Sequence, residues 1–322
     1  MVAAHPQRSL SGRTPGGPGV IVVFGGNGQL GRELARAGRQ RALPMETLSH
    51  VEVDIASSSA VASALSRIEP TLVVNAAAYT KVDLAETNIE AAVQANELGP
   101  AVLARACADA RLPLVHISTD YVFDGTKDGA YLESDSVCPI NTYGQTKAAG
   151  EQVVRGNLKR HVIVRTAWLY SEFGHNFLKT ILRLAAERDE LRIVADQRGT
   201  PTSARELAEA ILRIAPRLAS RELANQEQVW GTYHFTAGGA TTWHGFASRI
   251  VSAQAPITDR NPRLTPITTA DYPLPARRPQ NSQLDCSLFA RVFGFSGRHW
   301  TEGVDMTTKA LVTSSQRAAH VS

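Results

Sequence analysis

Residues 19–31, GVIVVFGGNGQLG, constrain this chain more than any other stretch. A β-branched and aromatic run without polar alternation reads as a strand buried on both faces, the situation of a parallel sheet covered by helices on each side. Glycines follow at once, and then a helical pattern through Leu30, Leu34 and Ala37. In such a strand–turn–helix, Gly25 permits the tight turn and Gly28 lets backbone approach a pyrophosphate. Gly31 lets the helix pack closely on the strand, and the helix N-terminus, from Gln29 and Leu30, offers N–H donors and a positive dipole. Read from Gly25 the spacing is GxxGxxG, and from Gly26 it is GxGxxG, so spacing alone does not choose a subfamily of dinucleotide binder.

The rhythm continues. Strands are expected near 41–47, 71–78 (TLVVNAAA, again buried), 112–119 (LPLVHIST) and 161–170 (HVIVRTAWLY), with helices over about 57–68, 89–110 and 143–158. This alternation predicts an α/β fold, a Rossmann-type doubly wound parallel sheet with right-handed crossovers. Later, helices are expected at 177–188 and 204–218 and a strand at 229–236, while 253–285 is proline-rich and weakly periodic. We read residues 1–19 as a disordered lead-in, 20–168 and about 203–237 as the dinucleotide-binding domain, and about 169–202 and 238–311 as a smaller α+β substrate-binding lobe. Residues 312–322 read as a flexible tail.

Composition narrows the partners. The net charge of +4 is spread along the chain with no Lys/Arg run, which argues against nucleic acid. Three cysteines stand far apart without a CxxC, and nine histidines show no HExxH pair, so neither a disulfide frame nor a zinc site is expected. No apolar stretch approaches the roughly 20 residues of a membrane helix, and no signal peptide is evident, so the chain reads as cytoplasmic.

Chemistry concentrates at two places. Ser118-Thr119-Asp120-Tyr121 ends the strand 112–119, and Tyr143 and Lys147 follow at i and i+4, on one face of a helix. Lys147 would hold ribose hydroxyls of a nicotinamide cofactor and favour the phenolate of Tyr143. Tyr143 would then give a proton to a carbonyl oxygen as hydride reaches the carbon. The hydroxyl of Thr119, or of Ser118 beside it, would orient that oxygen. His116, inside an apolar strand, reads as a core residue. Asp54 and Ile55 follow the second βα unit, where they would hold an adenine ring or Asp54 would cap the helix near Ser57. Ala77, Ala78 and Tyr79 follow the third strand, where small side chains leave room for a dinucleotide. Glu46 near the end of the second strand favours NADH, whereas Arg32, Arg36, Arg39 and Arg41 favour NADPH.

Together the segments GGNGQLG (25–31), VVNAAAYTKVDLAE (73–86), STDYVFDG (118–125), NTYGQTKAAGE (141–151), RTAWLY (165–170), DQRGTPTS (196–203), AGGATTWHGFA (237–247) and RPQNSQLD (278–285) are specific. From about Val20 to Leu311 the chain resembles the dTDP-4-dehydrorhamnose reductase family of extended short-chain dehydrogenases. That resemblance implies reduction of the C4 ketone of dTDP-4-dehydro-L-rhamnose by NADPH or NADH. It implies Thr119, Tyr143 and Lys147 as catalytic, and Thr119, Asp120 and Trp168 against the sugar. Gly28, Gln29, Leu30, Asp54, Ile55, Ala77, Ala78 and Tyr79 would line the cofactor, and the pair Asn176-Phe177 and the segment 278–285 (RPxNSxLD) would help shape the nucleotide-sugar pocket. Some relatives use Mg²⁺ with glutamates at a homodimer contact, and Glu33 and Glu206 are the counterparts the resemblance implies. Thr301, however, stands where an acidic residue is expected directly after Trp300, which counts against both the metal and that dimer.

Two siblings share this chemistry. A 4,6-dehydratase needs a second carboxylate beside Asp120, where this chain has Tyr121. A 4-epimerase uses the same Tyr/Lys pair, and only the specific segments disfavour it. A non-catalytic regulatory subunit of the same fold is the alternative from another class, but such chains often lose the active tyrosine or lysine, and both stand here.

Overall fold

The computed structural model describes residues 19–220 and 229–321. The expected lead-in through residue 18 lies outside the described residues. Strand β1 (Ile21–Phe24) is wholly buried and leads through the glycine turn into helix α1 (Gln29–Gln40). Then follow β2 (Met45–Leu48), α2 (Ser58–Ile68), β3 (Leu72–Asn75) and a short helix α3 (Val82–Ala85). Next come α4 (Ile89–Val93), α5 (Gly99–Asp109), β4 (Leu114–Thr119), α6 (Thr142–Asn157) and β5 (His161–Thr166). Two residues, β6 (Leu169–Tyr170), lead to α7 (Phe177–Glu187), β7 (Glu190–Val194), β8 (Arg198–Gly199), β9 (Thr202–Ser203) and α8 (Ala204–Ala219). After β10 (Gly231–His234) the chain adds β11 (Thr241–Thr242), α9 (Trp243–Thr258), β12 (Arg263–Ile267), α10 (Ser287–Phe293) and α11 (Trp300–Val321).

Six strands form one parallel sheet in the order β10-β5-β4-β3-β1-β2. Alternate residues of each strand face opposite layers. Ile21, Val23, Leu72 and Val74 join Leu34 of α1 and Leu207 and Ile211 of α8, whereas Val22, Phe24 and Val73 join Val61 of α2 and Leu103 of α5. Each such side chain removed from water contributes roughly 1.5–3 kcal/mol, which is why these strands carry no polar alternation. The order reverses between β1 and β3, so the crevice at the carboxyl edge of the sheet opens beside Gly25, as in other doubly wound sheets.

A third cluster joins α7, α9 and α11 through Leu178, Ile181, Phe246, Ile250 and Val304, with β7 and β12 paired beside it. Three expectations change here. The weakly periodic region from 253 begins inside α9, whose last turn accommodates Pro256 before the left-handed Asp259 ends it. The tail from 312 is helical, since α11 continues to Val321. The helix expected over 89–110 is broken by a π-helical turn at Gln94–Leu98. Pro100 has no N–H to give the Asn96 carbonyl, and that carbonyl sits where a side chain on Gly150 of α6 would collide with it.

Candidate active site

The glycine turn is built by contact. Gly25 has φ +86°, and a Cβ there would lie 2.5 Å from the backbone nitrogen of Ala77. A Cβ on Gly31 would run into the Gly25 carbonyl. Both constraints press α1 and the β3 end onto the turn, and the Leu48 carbonyl accepts from the Gly25 and Gly26 N–H groups at 2.9 and 2.8 Å. No side chain caps α1, and its first turn holds no acidic residue. This cradle fits the pyrophosphate of a dinucleotide, for which bare N–H donors and an uncompensated dipole are what is required.

The edge around the cradle is set by unobtrusive groups. Asp54 Oδ1 accepts from the Ala56 N–H at 3.0 Å, while the cap of α2 is Ser57. Ile55 is buried at 4% exposure. Ala77 N–H donates to Asn75 Oδ1 at 3.1 Å. The backbone of Tyr79 is clamped by Asn96, which accepts from its N–H at 2.9 Å and donates to its carbonyl at 3.1 Å, and also donates to Thr146 of α6. Asn96 lies in the π turn; nothing in the sequence marks it except the Gly99-Pro100 step that disturbs the helix.

Three of the charged groups that bear on cofactor choice by their place in the sequence, Glu46, Arg36 and Arg32, are engaged elsewhere, while Arg39 and Arg41 are exposed. Glu46 lies early in β2, not at its end, and pairs with Arg67 at 2.6 Å. Arg36 pairs with Glu33 and Glu172 at 2.7 and 2.9 Å, and the Arg32 guanidinium lies over Phe173 at 4.1 Å. Neither set decides between NADH and NADPH.

Asn141 opens α6, its Oδ1 accepting from the Gly144 N–H at 2.8 Å, so Tyr143 sits in the first turn and Lys147 one turn on. Burial pushes the Tyr143 phenol up to about 12, against the pull of the Thr119 hydroxyl at the end of β4, which favours the phenolate. Lys147 is 2% exposed, donates to the Ile117 carbonyl at 2.6 Å and is brought down to about 8 by burial. Thr119 Oγ1 donates to Asp120 Oδ1 at 2.9 Å. Asp120 is buried and raised to about 6 by loss of solvation, and its Oδ2 has no hydrogen-bond partner. Ser118 points the other way and donates to Glu151 at 2.6 Å, so of the two hydroxyls only Thr119 faces Tyr143. His116 is fully buried beside Asn75, as a core residue.

Trp168 and Asn176 each have partners within the protein. Trp168, at φ +45°, is stacked on Trp243 with ring centroids 3.7 Å apart, and Gly199 lies against its ring. Asn176 caps α7, its Oδ1 accepting from Lys179, and its amide nitrogen donates to Gln29 Oε1 and to the Ser171 carbonyl. Glu33 accepts from Ser171 at 2.7 Å, Glu206 from the Arg298 N–H at 2.6 Å, and Thr301 bonds His299. Among the described residues no three His, Cys, Asp or Glu groups are placed to hold a metal ion.

Beside Tyr121 opens a cavity of about 810 Å³ walled by Phe177, Leu184, Arg192, Trp243 and Arg278. The Tyr121 ring meets Tyr143 edge-on at 5.8 Å, and Arg278 makes a two-pronged bond to Asp83 (2.5 and 2.6 Å). Sequence reasoning gives Tyr121 and Trp243 no role of their own, whereas Arg278 belongs to the 278–285 segment expected to shape the pocket and does line this cavity.

A doubly wound sheet with a bare glycine cradle at its switch point, and a Thr/Tyr/Lys set beside it, defines an oxidoreductase of the short-chain dehydrogenase type. Comparison with known proteins narrows this. The model of the RmlD substrate binding domain family matches residues 19–313. A dTDP-4-dehydrorhamnose reductase of Sinorhizobium fredii is 40% identical over 92% of this chain and 99% of its own length. Among solved structures, a dTDP-4-dehydrorhamnose reductase of Clostridium acetobutylicum superposes with TM-score 0.83 at 36% identity, covering 91% of this chain and 99% of that one. One from Bacillus anthracis, in complex with NADP, gives TM-score 0.80 at 33% identity, over 90% and 98%. The chain belongs to the dTDP-4-dehydrorhamnose reductase family. None of its described helices is long and apolar enough to cross a membrane.

Proposed function

We propose that this protein reduces the C4 ketone of dTDP-4-dehydro-L-rhamnose with NADPH or NADH. The observation that carries the reading is the placing of Tyr143 and a buried Lys147 one turn apart at the opening of α6, against Thr119 at the end of β4, on the same carboxyl edge of the sheet as the glycine cradle. The reduced nicotinamide supplies the hydride when bound. The turn at Gly25, Gly28, Gln29, Leu30 and Gly31 would hold its pyrophosphate, with Asp54, Ile55 and the Ala77–Tyr79 segment around the remainder.

Thr119 orients the ketone oxygen and Tyr143 gives it the phenolic proton as the C4–H bond forms. The phenolate left behind is stabilised by Lys147. Asp120, with a buried oxygen unpartnered, takes a hydroxyl of the sugar. The nucleotide lies in the cavity by Tyr121, where an apolar wall receives the base and Arg192 and Arg278 lie near the diphosphate. Trp168 serves by fixing Trp243 in that wall. On this reading the lobes divide as the segments suggest, 20–168 with about 203–237 holding the cofactor and the remainder to 311 the sugar nucleotide.

The test is direct. Purified protein should oxidise NADPH or NADH, one equivalent per ketone reduced, when given dTDP-4-dehydro-L-rhamnose. Interconversion of sugars without net consumption of cofactor would instead make it an epimerase, and no oxidation with either cofactor would end the proposal.

A further inference from the structure

Behind Lys147, away from the cleft, lies a buried charge cluster that the reaction does not touch. Glu151, one turn further along α6, is fully buried. It accepts from Arg165 Nε and Nη2 of β5 at 2.8 and 2.7 Å, from Ser118 Oγ of β4 at 2.6 Å and from Arg155 at 3.1 Å. Arg165 is 2% exposed, lies over Phe123 at 5.0 Å and reaches His234 of β10 at 3.4 Å. An ion pair this deep is costly to desolvate, and replacing such pairs with apolar residues is often neutral or stabilising. Stability alone is therefore a poor reason for it.

We propose that Glu151 is a positioning residue for Lys147 and Thr119. Its carboxylate draws Ser118 to the far face of β4, which leaves Thr119, the next residue of an alternating strand, turned to the cleft. The same carboxylate is the anion one turn along α6 from Lys147, on the same face of the helix. The groups packed around the pair are Arg155 on α6 and Arg165 on β5, both bonded to the carboxylate, with His116 on β4 held neutral by burial and Tyr143 neutral ahead of the lysine. Glu151 favours the charged form of Lys147 against desolvation. The inference rests on the assignment of Lys147 under the proposed function.

The readout is the protonation of Lys147, followed without substrate by ¹³C NMR of its ε-carbon, assigned by loss of the signal in Lys147→Met. The alkaline limb of kcat/KM is measured in parallel. Glu151→Gln should move both midpoints to lower pH by about one unit, Arg165→Met should move them higher, and the double variant should return them towards the wild type. A merely structural role predicts the double variant to be the worst of the three with the midpoints unmoved, and that result would overturn the proposal. If Glu151→Gln does not fold, Arg165→Met alone decides by the direction of its shift. Wild-type protein inactive on the ketone would defeat the proposed function, while the NMR midpoints would still test the link between Glu151 and Lys147.

Discussion

Asn176 Nδ2 donates to Gln29 Oε1 at 2.9 Å, so the cap of α7 is bonded to the first residue of α1. Around it Ser171 bonds Glu33, Glu172 pairs with Arg36, and Phe173 lies under Arg32. The segment 171–176 is thus strapped along the helix whose N-terminus forms the phosphate cradle. Asn176→Ala should cost about 1 kcal/mol for the lost cap and also loosen cofactor binding, whereas Gln29→Ala should spare the cap. A double-mutant cycle on thermal stability should give a coupling of about 0.5–1.5 kcal/mol; additive effects would show that the bond does not hold the strap.

Tyr143→Phe removes the proton donor and little else, since the ring keeps its edge contact with Tyr121. Turnover should fall by roughly 10²–10⁴, the usual contribution of a positioned acid. NADPH affinity, measured by fluorescence titration, should change by no more than about threefold. Normal turnover would remove Tyr143 from the mechanism.

Gly31→Ala places a methyl group against the Gly25 carbonyl and the Gly26 backbone, neither of which swings aside as a side chain would. We expect a loss of about 1–3 kcal/mol in stability, the range for overpacking. Cofactor affinity should fall with it, because α1 must retreat from the turn. Melting curves and a binding titration check the two effects separately.

Asp120 gives a pH signature. Its folded pKa is raised to about 6 by burial, so its destabilising effect is absent at low pH and grows as pH rises from its unfolded value near 4 through 6. A shift of two units corresponds to about 3 kcal/mol at the plateau. Asp120→Asn should therefore raise the melting temperature at pH 8, by less as pH falls towards 4, while lowering turnover. An unchanged difference across that range would show the carboxyl to be solvated.

What is legible in the sequence follows from local rules. Val22–Val23, Leu72–Val74 and Val162–Val164 are apolar on both strand faces, and that pattern alone announces a covered parallel sheet. The i, i+4 spacing of Tyr143 and Lys147 specifies one helix face in the same way. What is not legible is set by distant contact. The 89–110 helix reads as continuous because its periodicity survives the π turn, whose cause is partly a carbonyl pressed against Gly150. Glu46 reads as a ribose ligand only if the strand ends near it; the strand starts at Met45, and Arg67 takes the carboxylate. Ser118 and Thr119 are equivalent in sequence, and it is Glu151, 33 residues on, that takes one of them. The stack of Trp168 on Trp243 is not legible either, because the two are remote in sequence.

The stack of Trp168 on Trp243, with rings 3.7 Å apart and 7° from parallel, has an optical consequence. Indoles this close absorb and emit as a coupled pair, unlike Trp230 and Trp300, which have no indole stacked on them. One member lines the cavity assigned to the nucleotide, and the other occupies the turn between β5 and β6. Filling that cavity will perturb the pair, so the chain carries its own chromophoric gauge of occupancy, readable by near-ultraviolet circular dichroism without a label or turnover.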